Sequence, residues 1–359
     1  MLQYKECGFL YMQIGLKKIN WYETKQTRSF IRVREIHFFE AHTAHADEEC
    51  ATRQIRQDLD IVDHIMNDLC LPIIKAKRPV WDTFPGAWYT IGIDAVMPNG
   101  RTLQVASCHH YRDQWAKAFD IKFETESEGH KFCHQTTYGM SERLLGAVVG
   151  VHGDDDGLIM PPAIAPIQVV MIPIRAENSP EVMIAIQNMK GQLEEAGIRC
   201  KIDDRDIRPG SKYYDWEIKG VPLRIELGPR DLESKAAMMA PRIGEKQSFL
   251  MDNAVEFIQN SLANIASQLR KNSQNHFNSI LRPMPAFTIE EGRLNTDELI
   301  EEGYIYEMPF SGTDAHAEIM EKNTGLGFLG EATTPYAEQK VCPFTHQKTT
   351  KRVLLSRSY

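Results

Sequence analysis

The chain has no run of about 18 apolar residues in its 359, which excludes an apolar membrane-spanning helix. It has no C-x-x-C pair either. Its seven cysteines, Cys7, Cys50, Cys70, Cys108, Cys133, Cys200 and Cys342, are scattered and odd in number, which argues for reduced thiols and a cytoplasmic setting. No HExxH stands on any predicted helix, and the chain shows no internal repeat. The apolar opening, MLQYKECGFLYMQIGLKK, has no basic region before it and no small-residue cleavage site, so it reads as core sequence. Basic residues do not dominate: 41 Lys and Arg against 49 Asp and Glu leave a net charge of −8. Total charge therefore does not announce a nucleic-acid partner, although a local basic groove is compatible with it.

What remains is an ordinary globular composition, 42% hydrophobic and 25% charged, in a chain long enough for two or three domains. Residues 21–45 read as two strands around the polar turn TKQTRS, with FIRVREIHFF as the second strand. From about Asp47 to Asn67 the spacing of Ile55, Leu59, Ile61, Val62 and Ile65 predicts an amphipathic helix behind an acidic first turn. Strands are expected at Trp88–Ile93 and Arg101–Ser107, around the turn Pro98-Asn99-Gly100. Pro161, Pro162 and Pro166 mark a boundary. Beyond it, strands at Ile167–Pro173, Ile198–Ile202, Val221–Leu227 and Ala237–Pro241 alternate with helices at Pro180–Ala196 and Asp252–Lys271, an α/β pattern. The polar stretch KNSQNHFNS leads to a last unit from about Leu281.

The hairpin carries more charge than strands usually do. Arg32 and Arg34 could grip phosphates bidentately while Glu23 and Glu40 accept from amines; equally, the charges could form cross-strand ion pairs on a solvated hairpin. His42 and His45 near Glu48 lack a specified third ligand, which argues against a metal there. Arg143 in GMSER opens an apolar helix, where backbone amides already favour anions.

Taken in order, the hairpin, the LQ strand, the G-x-S-x-R helix and VHGDDDGLIMPPAIAPIQVV resemble motifs 2 and 3 of a class II aminoacyl-tRNA synthetase. FIRVRE, EAHTAHA, VHGDD, WEIKGVPLRIELGPRDL and the closing RVLLSRSY are similar to prolyl-tRNA synthetases of the archaeal and eukaryotic type. The resemblance covers nearly everything from Lys17 onward. It implies an antiparallel-sheet class II catalytic domain, N-terminally truncated, at 1–163. An α/β anticodon-binding domain would follow at 164–275, and a small α+β C-terminal domain at 281–359.

The resemblance also implies site residues. Glu23 would take the adenine amine, Arg32 and Arg143 the phosphates, and Gln104, Ser107 and Ser141 would complete the ATP site. Phe38, Glu40, His42 and His109 would form the proline pocket. Glu217, Arg224, Arg230 and Lys246 would read the anticodon guanines, though any one of them could be an ordinary surface ion pair. The implied partners are ATP with Mg2+, L-proline and proline tRNA, with a homodimer in the family.

Three features depart from that pattern. Nothing before the hairpin matches motif 1 or the family's Thr-x-Glu loop. Trp21 occupies the place of an arginine on the α-phosphate, and one indole N–H cannot replace a bidentate guanidinium. Where many relatives bind zinc through four cysteines, this chain reads Ser311, His316, Cys342 and Phe344, then Thr345, so no structural zinc is expected. Ile305, Met308, Phe310, Leu326 and Phe328 could supply a small core instead. The leading expectation is a proline–tRNA ligase family member. The alternatives are a tRNA-binding remnant without amino-acid activation, or a regulatory relative that binds another partner through the old catalytic sheet.

Overall fold

The computed structural model describes the backbone of Phe9–Asn20 and the whole of residues 27–359. Trp21 and Glu23 lie outside the described residues. Two compact units emerge. One takes in the chain up to Ile65, Pro72–Ala147 and Asn275–Tyr359; the other comprises Met66–Leu71 and Val148–Gln274.

The first unit is built on a ten-stranded sheet. Its strands are β1 (Phe9–Asn20), β2 (Glu35–His45), β3 (Ile73–Lys77), β4 (Tyr89–Val96), β5 (Thr102–Arg112) and β6 (His134–Ser141). Leu281–Pro283, Ile305–Pro309, Gly327–Ala332 and Arg352–Ser356 supply the other four. The segment from 281 onward, read from sequence as a unit of its own, thus adds its strands to the same sheet, where Ala332 pairs with Ala76 of β3. Strands β2, β6, β5 and β4 are antiparallel neighbours in that order.

Helix α1 (Glu48–Asp68) begins where Asp47 accepts a hydrogen bond from the Cys50 amide at 2.7 Å, an N-cap. Ala51, Ile55, Val62 and Met66 recur at helical spacing and are buried, as the periodicity predicts.

The hairpin differs from its expected bounds. The second strand of the hairpin starts at Glu35, not Phe30. Arg28 and Arg32 close a tight backbone loop, and Phe30 has φ +61°, a conformation no strand contains. The alternation in FIRVRE belongs to an arched loop.

In β4 all but Tyr89 is buried, including Asp94. A buried carboxylate must be paired. Arg78 provides this: its Nη2 donates to both Asp94 oxygens at 2.9 and 2.8 Å, and its Nη1 donates to the Leu329 carbonyl at 2.9 Å. Gly92 makes room for that guanidinium, since a Cβ there would lie 2.1 Å from Arg78 Nε. Behind the C-terminal strands, Met308, Leu326 and Phe328 are buried together against Phe310, four of the five residues expected to form a small core; Ile305 packs instead with Ile74 and Ile280.

The second unit is a five-stranded sheet. Its strands are β7 (Val169–Pro173), β8 (Cys200–Ile202), β9 (Leu223–Leu227), β10 (Ala236–Pro241) and β11 (Gln247–Leu250), in the order β8-β7-β9-β10-β11. β7 is parallel to both neighbours and buried on both faces, hence its uninterrupted apolar sequence. Helix α3 (Pro180–Glu195) starts with Pro at its first position and presents Val182, Ile186, Met189 and Leu193 to the core, each side chain stabilising by roughly 1.5–3 kcal/mol. Preceding it, α2 spans Arg143–His152. The long helix, Ala254–Ile280, runs through the polar stretch that the sequence suggested was a connector. Phe277 and Ile280 keep the apolar stripe going there and bury against Ile74 and Ile305, which outweighs the poor helix propensity of Asn and Ser.

Candidate functional site

A cleft of about 340 Å³ opens on the ten-stranded sheet, lined mainly by apolar surface of Phe30, Ile31, Val33 and Ile36 and by β5 and β6 side chains. It gathers Phe38, Glu40, Gln104, Ser107, His109, Ser141 and Arg143, seven positions named from the sequence alone. Three of these come from β5 through a bulge. Ile93 pairs with Ala106 and Asp94 with Gln104, so Val105 is the extra residue. In a regular strand Gln104 would face away from Ser107 and His109; the bulge restores it to their face.

Glu142, between Ser141 and Arg143, clasps the start of β2. Its carboxylate accepts from the His37 amide at 3.0 Å and its own amide donates to the His37 carbonyl at 3.1 Å. Arg143 then opens α2 with its guanidinium half-buried. Nε donates to the Ile31 carbonyl at 3.0 Å and Nη1 to the Gln104 carbonyl at 3.3 Å. Burial, then the nearby Arg32 charge, holds its pKa below the usual arginine value. Arg32 is therefore close to Arg143, although it does not line the cleft. Arg28 stands over the ring of Tyr359 at 5.2 Å.

At the other end of the cleft, His109 is fixed by two hydroxyls: Thr90 Oγ1 lies 2.9 Å from Nδ1 and Ser107 Oγ 3.0 Å from Nε2. Burial pushes its pKa down to about 4. Phe84 packs on its ring with centroids 4.8 Å apart. Sequence reading passed over Phe84, since nothing in TFPGAW marks it until the fold brings it to β5. His42, expected with His109, does not line the cleft; its Nε2 lies 3.1 Å from Glu40 Oε2, and Nδ1 meets Thr137 Oγ1 at 3.2 Å. His45 does not join it: it is buried against Thr43 (2.7 Å) and Cys50 (3.2 Å), because three positions along a strand reverse the face.

In the second unit a polar pocket of about 230 Å³ is lined by Trp216, Glu217, Arg224, Arg242 and Lys246 among others. Arg230, expected with them, does not line it; it sits on the short helix Pro229–Glu233 after β9. Two residues were missed. Glu226 accepts from both Arg224 (3.0 Å) and Lys246 (3.1 Å), and Arg242 is ion-paired with Asp154 while donating to the Glu217 carbonyl at 3.3 Å. The Arg224 guanidinium also lies 4.0 Å from the Tyr213 ring centroid.

The zinc positions of the resemblance do not fit a metal. Cys342 Sγ accepts from the Ser311 amide at 3.2 Å, Ser311 Oγ meets Thr345 Oγ1 at 2.6 Å, and His316 stacks on Phe344 with Nδ1 accepting from the Thr313 amide. Burial raises the Cys342 thiol, and hydrogen bonds from Ser311 and Thr345 outweigh it, leaving the pKa lowered to about 7. Among the described residues no group of three or more His, Cys, Asp and Glu is placed to hold a metal ion, and no helix is long and apolar enough to cross a membrane.

The mostly antiparallel ten-stranded sheet thus carries a cleft with an arginine at a helix start, and the α/β unit a pocket with cationic side chains; the class these belong to, a class II aminoacyl-tRNA synthetase, follows from the family match. Residues 14–152 match the class II tRNA synthetase core domain (G, H, P, S and T), and residues 168–261 match an anticodon-binding domain. Within that class the chain belongs to the proline–tRNA ligase family. The proline–tRNA ligase of Methanosarcina mazei is 41% identical over 342 residues, covering 94% of this chain and 70% of that protein. That of Thermococcus kodakarensis is 48% identical over 322 residues, covering 89% of this chain. The chain spans 65% of the length of the Thermococcus relative. The structure of Giardia lamblia prolyl-tRNA synthetase in complex with prolyl-adenylate superposes with a TM-score of 0.87 at 30% identity, covering 97% of this chain and 74% of that one.

Proposed function

We propose that the chain carries the adenylation cleft and anticodon reader of a proline–tRNA ligase, working on ATP with Mg2+, L-proline and proline tRNA in the cytoplasm. The observation that carries this reading is the assembly of Phe38, Glu40, Gln104, Ser107, His109, Ser141 and Arg143 in one cleft. In this reading Arg143 and Arg32 hold the ATP phosphates. Glu40 takes the proline ammonium, and Phe38, His42 and His109 enclose the ring. The proline carboxylate attacks the α-phosphorus, the bond to the bridging oxygen breaks, and pyrophosphate leaves. The cleft contributes by orienting reactants and stabilising charge, since phosphoryl-type transfer needs little covalent help. Prolyl-adenylate then passes proline to the terminal ribose of the tRNA. Glu217, Arg224 and Lys246 suit guanine: cations donate to O6 and N7, and a carboxylate accepts from N1 and N2. Catalytic, anticodon-binding and C-terminal domains at 1–163, 164–275 and 281–359 remain the proposed functional division.

A second reading, a tRNA-binding remnant, is favoured by Trp21 standing where the family has an arginine. Proline-dependent exchange of pyrophosphate into ATP, measured beside proline-tRNA binding, separates the two. Exchange above background is the expected result. Retained tRNA binding without exchange would leave the remnant reading, and loss of both would sink each of them.

A further inference from the structure

The loop before β2 does not simply pass over the cleft; it is seated on α2. Its ends are closed by reciprocal backbone hydrogen bonds, from the Arg28 amide to the Arg32 carbonyl at 2.7 Å and from the Arg32 amide to the Arg28 carbonyl at 2.9 Å. At its tip Phe30 has φ +61°, a conformation rare for a bulky side chain and retained only where the surroundings impose it. The imposing surface is Gly146, one turn after Arg143. A Cβ built on Gly146 would fall 2.9 Å from Phe30 Cβ and 3.6 Å from its carbonyl oxygen. The residue after Phe30 is Ile31, whose carbonyl accepts from Arg143 Nε at 3.0 Å; the next is Arg32.

We propose that Phe30 and Gly146 form a steric latch that positions the phosphate-binding arginines. Gly146, without a Cβ, lets the loop tip rest on the helix, and that seat sets the Ile31 carbonyl on Arg143 and brings Arg32 beside it. Two guanidiniums repel, so a pair held ready for one polyanion needs a pin on each side. The second pin on Arg143 is the Gln104 carbonyl. Phe30 and Gly146 are positioning residues, and the inference rests on the reading of the cleft as an ATP site. The size of the effect follows from the clash, because overpacking one tight contact costs on the order of tenfold in an equilibrium.

The test is a double-mutant cycle with two readouts. Gly146→Ala, Phe30→Gly and the double variant are compared for ATP affinity by calorimetry and for tryptic cleavage after Arg28 and Arg32 without nucleotide. Alanine is a better helix former than glycine, so Gly146→Ala does not weaken α2 itself. Gly146→Ala is expected to lower ATP affinity and speed cleavage, each by about tenfold or more. In the Phe30→Gly background, where no Cβ is left to collide, the same change should move either readout by less than about twofold. Phe30→Asn, which tolerates the left-handed region but keeps its Cβ, should give no such protection. Equal losses in the two backgrounds, or no loss in either, would overturn the latch. If the parent chain binds no ATP, the ATP-site reading fails, while the cleavage cycle still decides the latch.

Discussion

In the cleft of the ten-stranded sheet, Arg143 is held by two backbone carbonyls. In the pocket of the five-stranded sheet, Arg224 and Lys246 share the Glu226 carboxylate and Arg242 is paired with Asp154. Carbonyls orient a guanidinium without cancelling its charge; carboxylates do both. The first arrangement suits a ligand that brings several negative charges of its own. The second suits a nearly neutral ligand such as a base edge, where directed donors and acceptors matter more than net charge. Two sites rich in arginine can therefore be told apart by what holds the arginine.

The largest effect expected from that difference is at Arg143. Arg143→Ala should lower pyrophosphate exchange by about 10²–10³-fold, some 2.7–4 kcal/mol in the transition state, and leave tRNA affinity unchanged. Arg143→Lys should restore only part of it, because a point charge cannot span both carbonyls and the ligand. Equal activity of the lysine variant and the parent would show that charge alone matters there.

A smaller and opposite pattern is expected in the second unit. Arg224→Ala should weaken proline-tRNA binding by about 1–3 kcal/mol and leave exchange intact. Glu226→Gln keeps the shape but releases both cations from their carboxylate. It should therefore raise affinity for non-cognate tRNA and steepen the salt dependence, as uncompensated cations do with phosphates. If Glu226→Gln weakened cognate and non-cognate tRNA equally, without a change in salt dependence, charge balance would not be what distinguishes this pocket.

How much of this was legible before the fold was known depends on the range of the signal. Local periodicity located α1 within a residue or two, and the Ser179-Pro180 start with the Gly197 stop did the same for α3. Residue chemistry with the family resemblance named seven of the residues that line the cleft. What escaped depends on non-local geometry. The bulge at Val105 has no sequence signature, yet it decides that Gln104 faces the cleft. FIRVRE reads as a strand until Phe30 meets Gly146. Arg230 stood in the ELGPRDL motif, whereas Arg242 drew no attention and reaches the pocket through its contacts with Asp154 and the Glu217 carbonyl. The helix through KNSQNHFNS was hidden because its polar residues outnumber Phe277 and Ile280, whose partners Ile74 and Ile305 lie far away in the chain.

The subtlest contrast between the two sites is in acid. The pocket of the second unit has no histidine in its lining, whereas the cleft has His109, pushed down to about 4 by burial. The sign follows from linkage. A histidine whose folded pKa is depressed is neutral in the folded state and takes up its proton on unfolding near pH 6.5. Its contribution to stability is complete above about 6.5 and is lost as pH falls towards 4. His45 and His110, also buried and near 4, act in the same window, so the first unit should lose stability steeply there. His109→Gln, whose amide can still meet the Thr90 and Ser107 hydroxyls, should reduce the slope of unfolding free energy between pH 6.5 and 4 by up to about 1.4 kcal/mol per pH unit. Denaturant unfolding of parent and variant across that range measures it. An unchanged slope would mean that His109 is protonated in the folded cleft, and that its two hydroxyl partners hold the cation rather than the neutral ring.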